Sequence, residues 1–267
     1  YAIVDFPFLE GLQYRLNTGI RYRFLDQMTY YGRNTQTGLT NRGDASLNRS
    51  KYNNTVIENI VSYNREIGKH NLFFTGVYSF EDYKSNGESL SAQGFPHDIL
   101  TWYSAAQAEL IVPGFSYSST SLISQMLRLN YSFDSRYLFT LTGRRDGYSG
   151  FGHSTKWGVF PSLALGWNIS NESFYPTNAT LNRLKLRVSY GLNGNQGVGA
   201  YETISRLSTN NLVSGTTTLP GYIPSRLGED NLGWESTQSL NVGLDFGFVQ
   251  DRIQGDLNFY KSNTFDL

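Results

Sequence analysis

Apolar and polar residues alternate with a period of two along much of this chain, the spacing of a β-strand whose successive side chains leave the pleat on opposite faces. Between Leu12 and Leu25 one face takes Leu12, Tyr14, Leu16, Thr18, Ile20, Tyr22 and Phe24, and the other takes Gln13, Arg15, Asn17, Gly19, Arg21 and Arg23. The division returns from Arg183 to Gly194, where Leu184, Leu186, Val188, Tyr190 and Leu192 oppose Arg183, Lys185, Arg187, Ser189, Gly191 and Asn193. Leu240, Val242, Leu244 and Phe246 likewise oppose Asn241, Gly243 and Asp245, and Ile253, Leu257 and Phe259 oppose Gln254, Asp256 and Asn258. Further strands are predicted near 55–64, 70–82, 122–133, 137–146 and 156–169, which makes nine.

The connections alternate in length. Residues 26–52, 83–121, 147–155 and 195–233 form a long set, and 65–69, 134–136, 170–182 and 249–251 a short one. If consecutive strands are antiparallel neighbours, every long connection lies at one end of the sheet and every short one at the other. Outer-membrane barrels have this arrangement, with short periplasmic turns and long external loops, and the first strand then runs outward. Beside the short turns stand Tyr63, Phe73, Phe74, Tyr131, Phe133, Tyr137, Phe139, Trp167, Phe174, Tyr175, Phe246 and Phe248. They are expected to form a periplasmic girdle, because amphipathic rings favour the headgroup level.

A soluble β-sandwich alternates too, and a non-transporting surface-binding or adhesion protein of that fold is the alternative reading. Sandwich strands run nearer to about 5 or 6 residues. Several here have 10 to 14, at or beyond the roughly 9 to 11 that cross a bilayer at a tilt. The predicted fold is therefore all-β, an antiparallel transmembrane β-barrel segment in the bacterial outer membrane.

Composition agrees with this. The 19 Tyr and 17 Phe suit cross-strand packing. Cysteine is absent, which excludes a disulfide framework and a thiolate metal site. The 22 basic and 22 acidic residues balance without forming a block of like charge, so no nucleic-acid surface is expected. No run approaches the roughly 20 apolar residues of a membrane helix, but alternating barrel strands dilute their apolar residues with polar ones. Tyr1 to Phe8 carries neither the basic n-region nor the apolar core of a signal peptide.

Few residues suggest chemistry. His70, His97 and His153 are far apart in sequence, and none has a second ligand at helical or hairpin spacing, so no metal site is expected. Gly147-Tyr148-Ser149-Gly150-Phe151 resembles a nucleophile elbow, but Phe151 replaces the second glycine and no strand-to-helix context follows, so it reads as a loop tip. Gly194-Asn195-Gln196-Gly197-Val198-Gly199 lacks the Lys-Ser/Thr of a phosphate loop and is expected to let the backbone leave a strand. The triplet Asn178-Ala179-Thr180 is of a kind that arises by chance in so Asn- and Thr-rich a chain. Arg15, Arg21, Arg23, Arg144, Lys185, Arg187, Asp245 and Asp256 on the polar faces form either a substrate path or, as favoured here, a hydrated wall of opposite charges paired across strands. In 83–121, Trp102, Tyr103, Phe115 and Tyr117 can stack on sugar rings, fill a partner's pockets or pack the loop on itself.

From residue 122 onward the chain resembles the SusC/RagA class of TonB-dependent outer-membrane transporters. The resemblance is carried by Arg128-Leu129-Asn130-Tyr131-Ser132-Phe133, Arg145-Asp146-Gly147, Lys156-Trp157-Gly158-Val159-Phe160-Pro161-Ser162 and Gly166-Trp167. It continues through Leu184-Lys185-Leu186-Arg187-Val188-Ser189-Tyr190-Gly191, Gly194-Asn195, Leu232-Gly233-Trp234-Glu235, Gly243-Leu244-Asp245-Phe246-Gly247, Arg252-Ile253 and Tyr260. Gly150 departs from the pattern, standing where a basic residue is expected. The resemblance implies a barrel of about 22 strands plugged by an N-terminal domain, with these residues as part of its wall and the plug and TonB-contacting segment outside them. It further implies import of oligosaccharides or peptides driven by TonB, a SusD-like lipoprotein over the external mouth, no cofactor and no catalytic residue. Residues 83–121 are then expected to contact the lipoprotein or the substrate.

Overall fold

The computed structural model describes residues 1–176 and 180–265, and of Ser214 the backbone alone. Asn178 and Ala179 of the Asn-x-Thr triplet lie outside the described residues. A single antiparallel sheet of ten strands runs in chain order: β1 (Ala2–Asp5), β2 (Leu12–Tyr31), β3 (Asp44–Ile67), β4 (His70–Gln93), β5 (Leu110–Phe133), β6 (Tyr137–Tyr148), β7 (Trp157–Asn168), β8 (Leu181–Asn195), β11 (Glu235–Phe248) and β12 (Ile253–Phe265). Between β8 and β11 stands a separate hairpin of β9 (Arg206–Ser214) and β10 (Thr217–Arg226). The nine predicted strands are all present. The tenth, β1, is four residues long and lies against Gln13–Leu16 of β2, too short for a period to show.

Register makes this one two-faced sheet. Tyr131, Phe139, Leu165, Val188, Val242 and Phe259 oppose one another in a line across six strands. The adjacent line is polar or small: Asn130, Thr140, Ala164, Ser189, Asn241 and, at its end, Tyr260. On the next apolar line stand Leu129, Leu141, Leu163, Tyr190 and Leu240. The even-numbered residues of β8 thus share the apolar face with its neighbours, and the odd-numbered residues share the polar one. A slip of one residue at any pair would invert one strand against the rest.

The predicted girdle lies largely on the apolar face. Tyr131 opposes Phe139, Phe133 opposes Tyr137, and Tyr137 opposes Trp167. The Trp167 indole N–H donates to Glu172 at 2.9 Å, so the ring keeps an apolar body and a satisfied polar edge. Phe73 is a correction. Phe74 shares the face of Leu127, since both flank the space over Gly76, and the pleat sends the adjacent Phe73 the other way.

Two of the four long connections are shorter than predicted because β2 to β5 extend into them. β3, β4 and β5 have 24 residues each, and the connections shrink to 32–43 and 94–109. The added lengths, such as Asp44–Tyr52, have no period-two alternation for a sequence reading to detect. Backbone pairing holds them, helped by close Gly–Ser packing: the space over Gly87 is taken by Ser116 and that over Gly114 by Ser89. Short turns at the other end use left-handed backbone. Asp134 and Ser135 (φ 51° and 54°) take the two positive φ values of a type I′ turn, closed by Arg136 N–H to Phe133 O at 2.9 Å.

Two compact units are distinguished: Tyr1–Asn17, Ile57–Phe80 and Leu122–Leu267 form the first, and Thr18–Val56 with Glu81–Ser121 the second.

In the complete protein, Val188→Arg should cost about 2 to 4 kcal/mol where Ser189→Arg costs little, because an arginine on a lipid-facing position near mid-bilayer is desolvated. Heat-modifiable electrophoretic mobility compares the two. A lipid-confined quencher should reach single-cysteine labels at 186, 188 and 190 and leave 187 and 189 bright; the opposite parity would overturn the face assignment.

Candidate functional site: the loop-bearing ends of the strands

In the second unit the connections 32–43 and 94–109 are tied together by backbone. Gly94 N–H donates to Asn41 O and Phe95 N–H to Arg42 O, both at 2.9 Å, and Glu109 N–H donates back to Gly94 O at 3.1 Å. Arg42 and Glu109 add an ion pair. Ala45, Ala92, Phe95 and Ala105 form a small core, with Tyr30, Leu47, Leu90 and Trp102 packed against it. Alanine at 45 and 92 leaves room for the Phe95 ring, which meets Tyr30 edge-on at 5.1 Å, and for the 3-10 helix Thr101–Gln107. The Asp98 carboxylate accepts from the Tyr30 hydroxyl at 2.7 Å and from Arg33 N–H at 3.1 Å. The hydroxyl first, then the Arg33 amide, hold Asp98 below the usual carboxylate range. Burial and that same carboxylate push Tyr30 up to about 12.

The four predicted contact residues divide into two pairs. Trp102 and Tyr103 stack at 3.8 Å on the 3-10 helix, but Trp102 anchors the helix to the small core while Tyr103 is 74% exposed. Phe115 and Tyr117 are not in a loop. They lie two apart on β5, on one face of the strand, 83% and 59% exposed.

The first unit gathers distant motifs into one aromatic cluster. Phe151, predicted to be at a loop tip, is 2% exposed. It meets Tyr148 at 5.0 Å and Trp234 at 5.2 Å, and Trp234 meets Phe160 at 5.3 Å. The Trp234 indole donates to Lys156 O at 3.0 Å across 78 residues of sequence. Glycine at 194 is required for space, because a Cβ would overlap the Phe160 ring, and no positive φ is involved. Residues 162 to 168 of β7 pair with β8, whereas 157 to 161 pair with β6 alone. Pro161, which has no N–H to donate, stands where the pairing with β8 stops. A cavity of about 850 Å³ is lined from both sides of this parting by Trp157, Val159, Phe160, Asn195, Glu229, Asn231, Trp234 and Glu235. Aromatic faces beside amide and carboxylate groups suit a ligand that both stacks and hydrogen-bonds. No local sequence pattern marks this cavity, because its motifs have partners far away in the chain.

Among the charged residues of the polar face, Arg187 pairs with a carboxylate on the neighbouring strand and Arg144 with one on its own strand. Arg187 grips Asp245 with Nε at 2.9 Å and Nη2 at 2.6 Å, and Gly243 leaves the space its guanidinium occupies. Arg144 binds Asp146 at 2.7 Å and Ser124 at 3.0 Å. Asp245 and Asp256 stand directly opposite one another, a like-charge pair that Arg187 offsets. Arg15 bonds Asn17 at 2.8 Å, and Arg23 lies over Tyr52 at 5.7 Å. Of the histidines, His70 opens β4 and bonds Tyr131 at 2.8 Å, while His97 and His153 lie in separate connections.

Residues 4–267 match the family described as TonB dependent receptor-like, beta-barrel. TonB-dependent receptor P3 of Formosa agariphila is 32% identical over 98% of this chain, which covers 26% of that protein. TonB-dependent receptor SusC of Bacteroides thetaiotaomicron is 43% identical over 55% of the chain and 15% of its own length. The structure of the RagAB peptide transporter superposes with a TM-score of 0.87 at 23% identity, over 97% of this chain and 29% of that one. This chain therefore spans about a quarter of the length of its full-span relatives. Two-faced register, strand length and family match converge: the chain belongs to the TonB-dependent receptors of the bacterial outer membrane and forms part of their β-barrel.

Proposed function

We propose that the complete protein imports oligosaccharides or peptides across the outer membrane, driven by TonB, with a SusD-like lipoprotein at its external mouth. The carrying observation is the presentation of Tyr103, Phe115 and Tyr117, exposed rings on a hydrogen-bonded scaffold rather than on a slack loop. Rings held this way lose little entropy on binding and offer broad apolar area with a polar handle, properties shared by sugar-stacking and protein-docking surfaces. The likeness to TonB-dependent receptor SusC and to the RagAB peptide transporter supports the importer reading. The cavity beside Phe160 and Trp234 supports the same reading, as aromatic faces next to Asn195 and Asn231 match either a glycan or a peptide.

Replacing residues 95–108 by a short Gly-Ser linker keeps β4 and β5 whole. It should leave the barrel heat-modifiable while uptake, or capture of the surface lipoprotein, falls at least about fivefold. Tyr103→Ala with Phe115→Ala should reproduce most of that loss. Unchanged uptake and capture in both variants would sink the contact role.

The scaffold itself has a pH limit. Because the folded state lowers the Asp98 value, its contribution is complete above the ordinary carboxylate value of about 4 and disappears as pH falls through the lowered folded one. Tyr30→Phe removes the principal cause, so loosening of 94–109 should begin at higher pH in the variant than in the parent. Hydrogen exchange of that segment, corrected for intrinsic rates, measures the difference; identical profiles would count against the Tyr30–Asp98 latch.

A further inference from the structure

Along β5 to β12 the apolar face is built of apolar, small or neutral polar residues, with two exceptions, Arg145 on β6 and Lys261 on β12. No described carboxylate shares that face along these strands. Arg145 lies three residues before the end of β6 that leads into connection 149–156, and so at the external side of the strand. Its strand neighbours are Gln125 and Val159. The guanidinium carbon lies over the Trp157 ring at 4.2 Å. Among the described residues it makes no ion pair, whereas Arg144 and Arg187 on the opposite face are each held by a carboxylate.

Beside Arg145 runs a trough of about 470 Å³, walled by Tyr78, Leu127 and Val159. Gly143 forms its floor, with nothing within 4 Å of an added Cβ. Leu127 and Val159 are 61% and 63% exposed, which is costly beside water and favourable beside acyl chains.

A lone cation on a lipid-facing surface is tolerated where its stem lies along apolar surface and its head reaches a headgroup. Indole favours that same level. A guanidinium with free donors forms paired hydrogen bonds to phosphate oxygens. We propose that Arg145, Trp157 and the trough over Gly143 bind a phosphorylated glycolipid of the outer leaflet. The guanidinium takes a phosphate, the indole lies against the adjoining sugar, and an acyl chain fills the trough. Charge complementarity on a face without carboxylates, and continuity with the lipid-facing surface, favour this occupant over a protein partner.

The test uses the complete transporter in nanodiscs, with bisphosphorylated lipid A and its phosphate-free counterpart as probes. The parent should bind the phosphorylated form about tenfold more tightly, and Arg145→Gln should erase that preference. Gly143→Leu, which fills the trough without strain at its φ, should weaken both forms, while Lys261→Gln should change neither. Heat-modifiable mobility verifies assembly of each variant. If Arg145→Gln does not assemble, the parent's preference and the Gly143→Leu loss still decide the matter. Equal binding of both lipids by the parent, no loss in Gly143→Leu, or displacement of bound lipid by millimolar inorganic phosphate would overturn the proposal.

Discussion

Everything in this chain depends on a shared register. Six consecutive sheet neighbours keep their apolar residues in line, from Tyr131 to Phe259, although they are joined by connections of very different length. In a soluble protein such a face would be covered by a second layer. Here Leu127, Leu141, Leu165 and Leu257 remain between 48% and 64% exposed, and only a bilayer makes that exposure favourable. The same registration places polar groups together on the other face, where Arg187 meets Asp245 on the neighbouring strand and Arg144 meets Asp146 on its own. Pairing across the wall and solvation by lipid are thus two results of one alternation.

Glycine and proline set where this regular sheet departs from itself. Gly194 and Gly158 give up side chains so that the rings of Phe160 and Trp234 can sit beside the backbone. Gly243 does so for the Arg187 guanidinium. At Pro161 the seam between β7 and β8 stops, and the cluster of Tyr148, Phe151, Phe160 and Trp234 occupies the region where two strands part. Motif residues that look unrelated in sequence are therefore the contacting parts of one aromatic plug, joining connection 149–156 to residues 228–234.

The strands also change character along their length. Where one face is bathed in lipid, alternation holds along β5 to β8, β11 and β12 with Arg145 and Lys261 as its charged exceptions. In residues 44–52 and the last third of β4, small or polar residues predominate on both faces apart from Leu47, Tyr52 and Leu90, and order comes from backbone hydrogen bonds and from a core as small as four residues. Such a scaffold is cheap to vary in its exposed residues and still rigid, which suits surfaces that must differ between substrates and partners.

Sequence alone determined the strand periodicity, the parity of β8, β11 and β12, the alternation of long and short connections, and the family. These follow from local chemistry, because a face in lipid must be apolar at every second residue. Tertiary structure decided what depends on distant partners. Phe151 read as a loop tip because only the folding of residue 234 onto it makes it buried. Phe115 and Tyr117 read as loop residues because β5 is held there by pairing with β4 and not by its own pattern. Trp102 and Tyr103 are adjacent and equally aromatic, yet one anchors and the other is presented, since only one side of the 3-10 helix meets Ala45 and Ala92. An alternating pattern records which solvent each face meets; it holds no record of which side chain from another part of the chain will cover it.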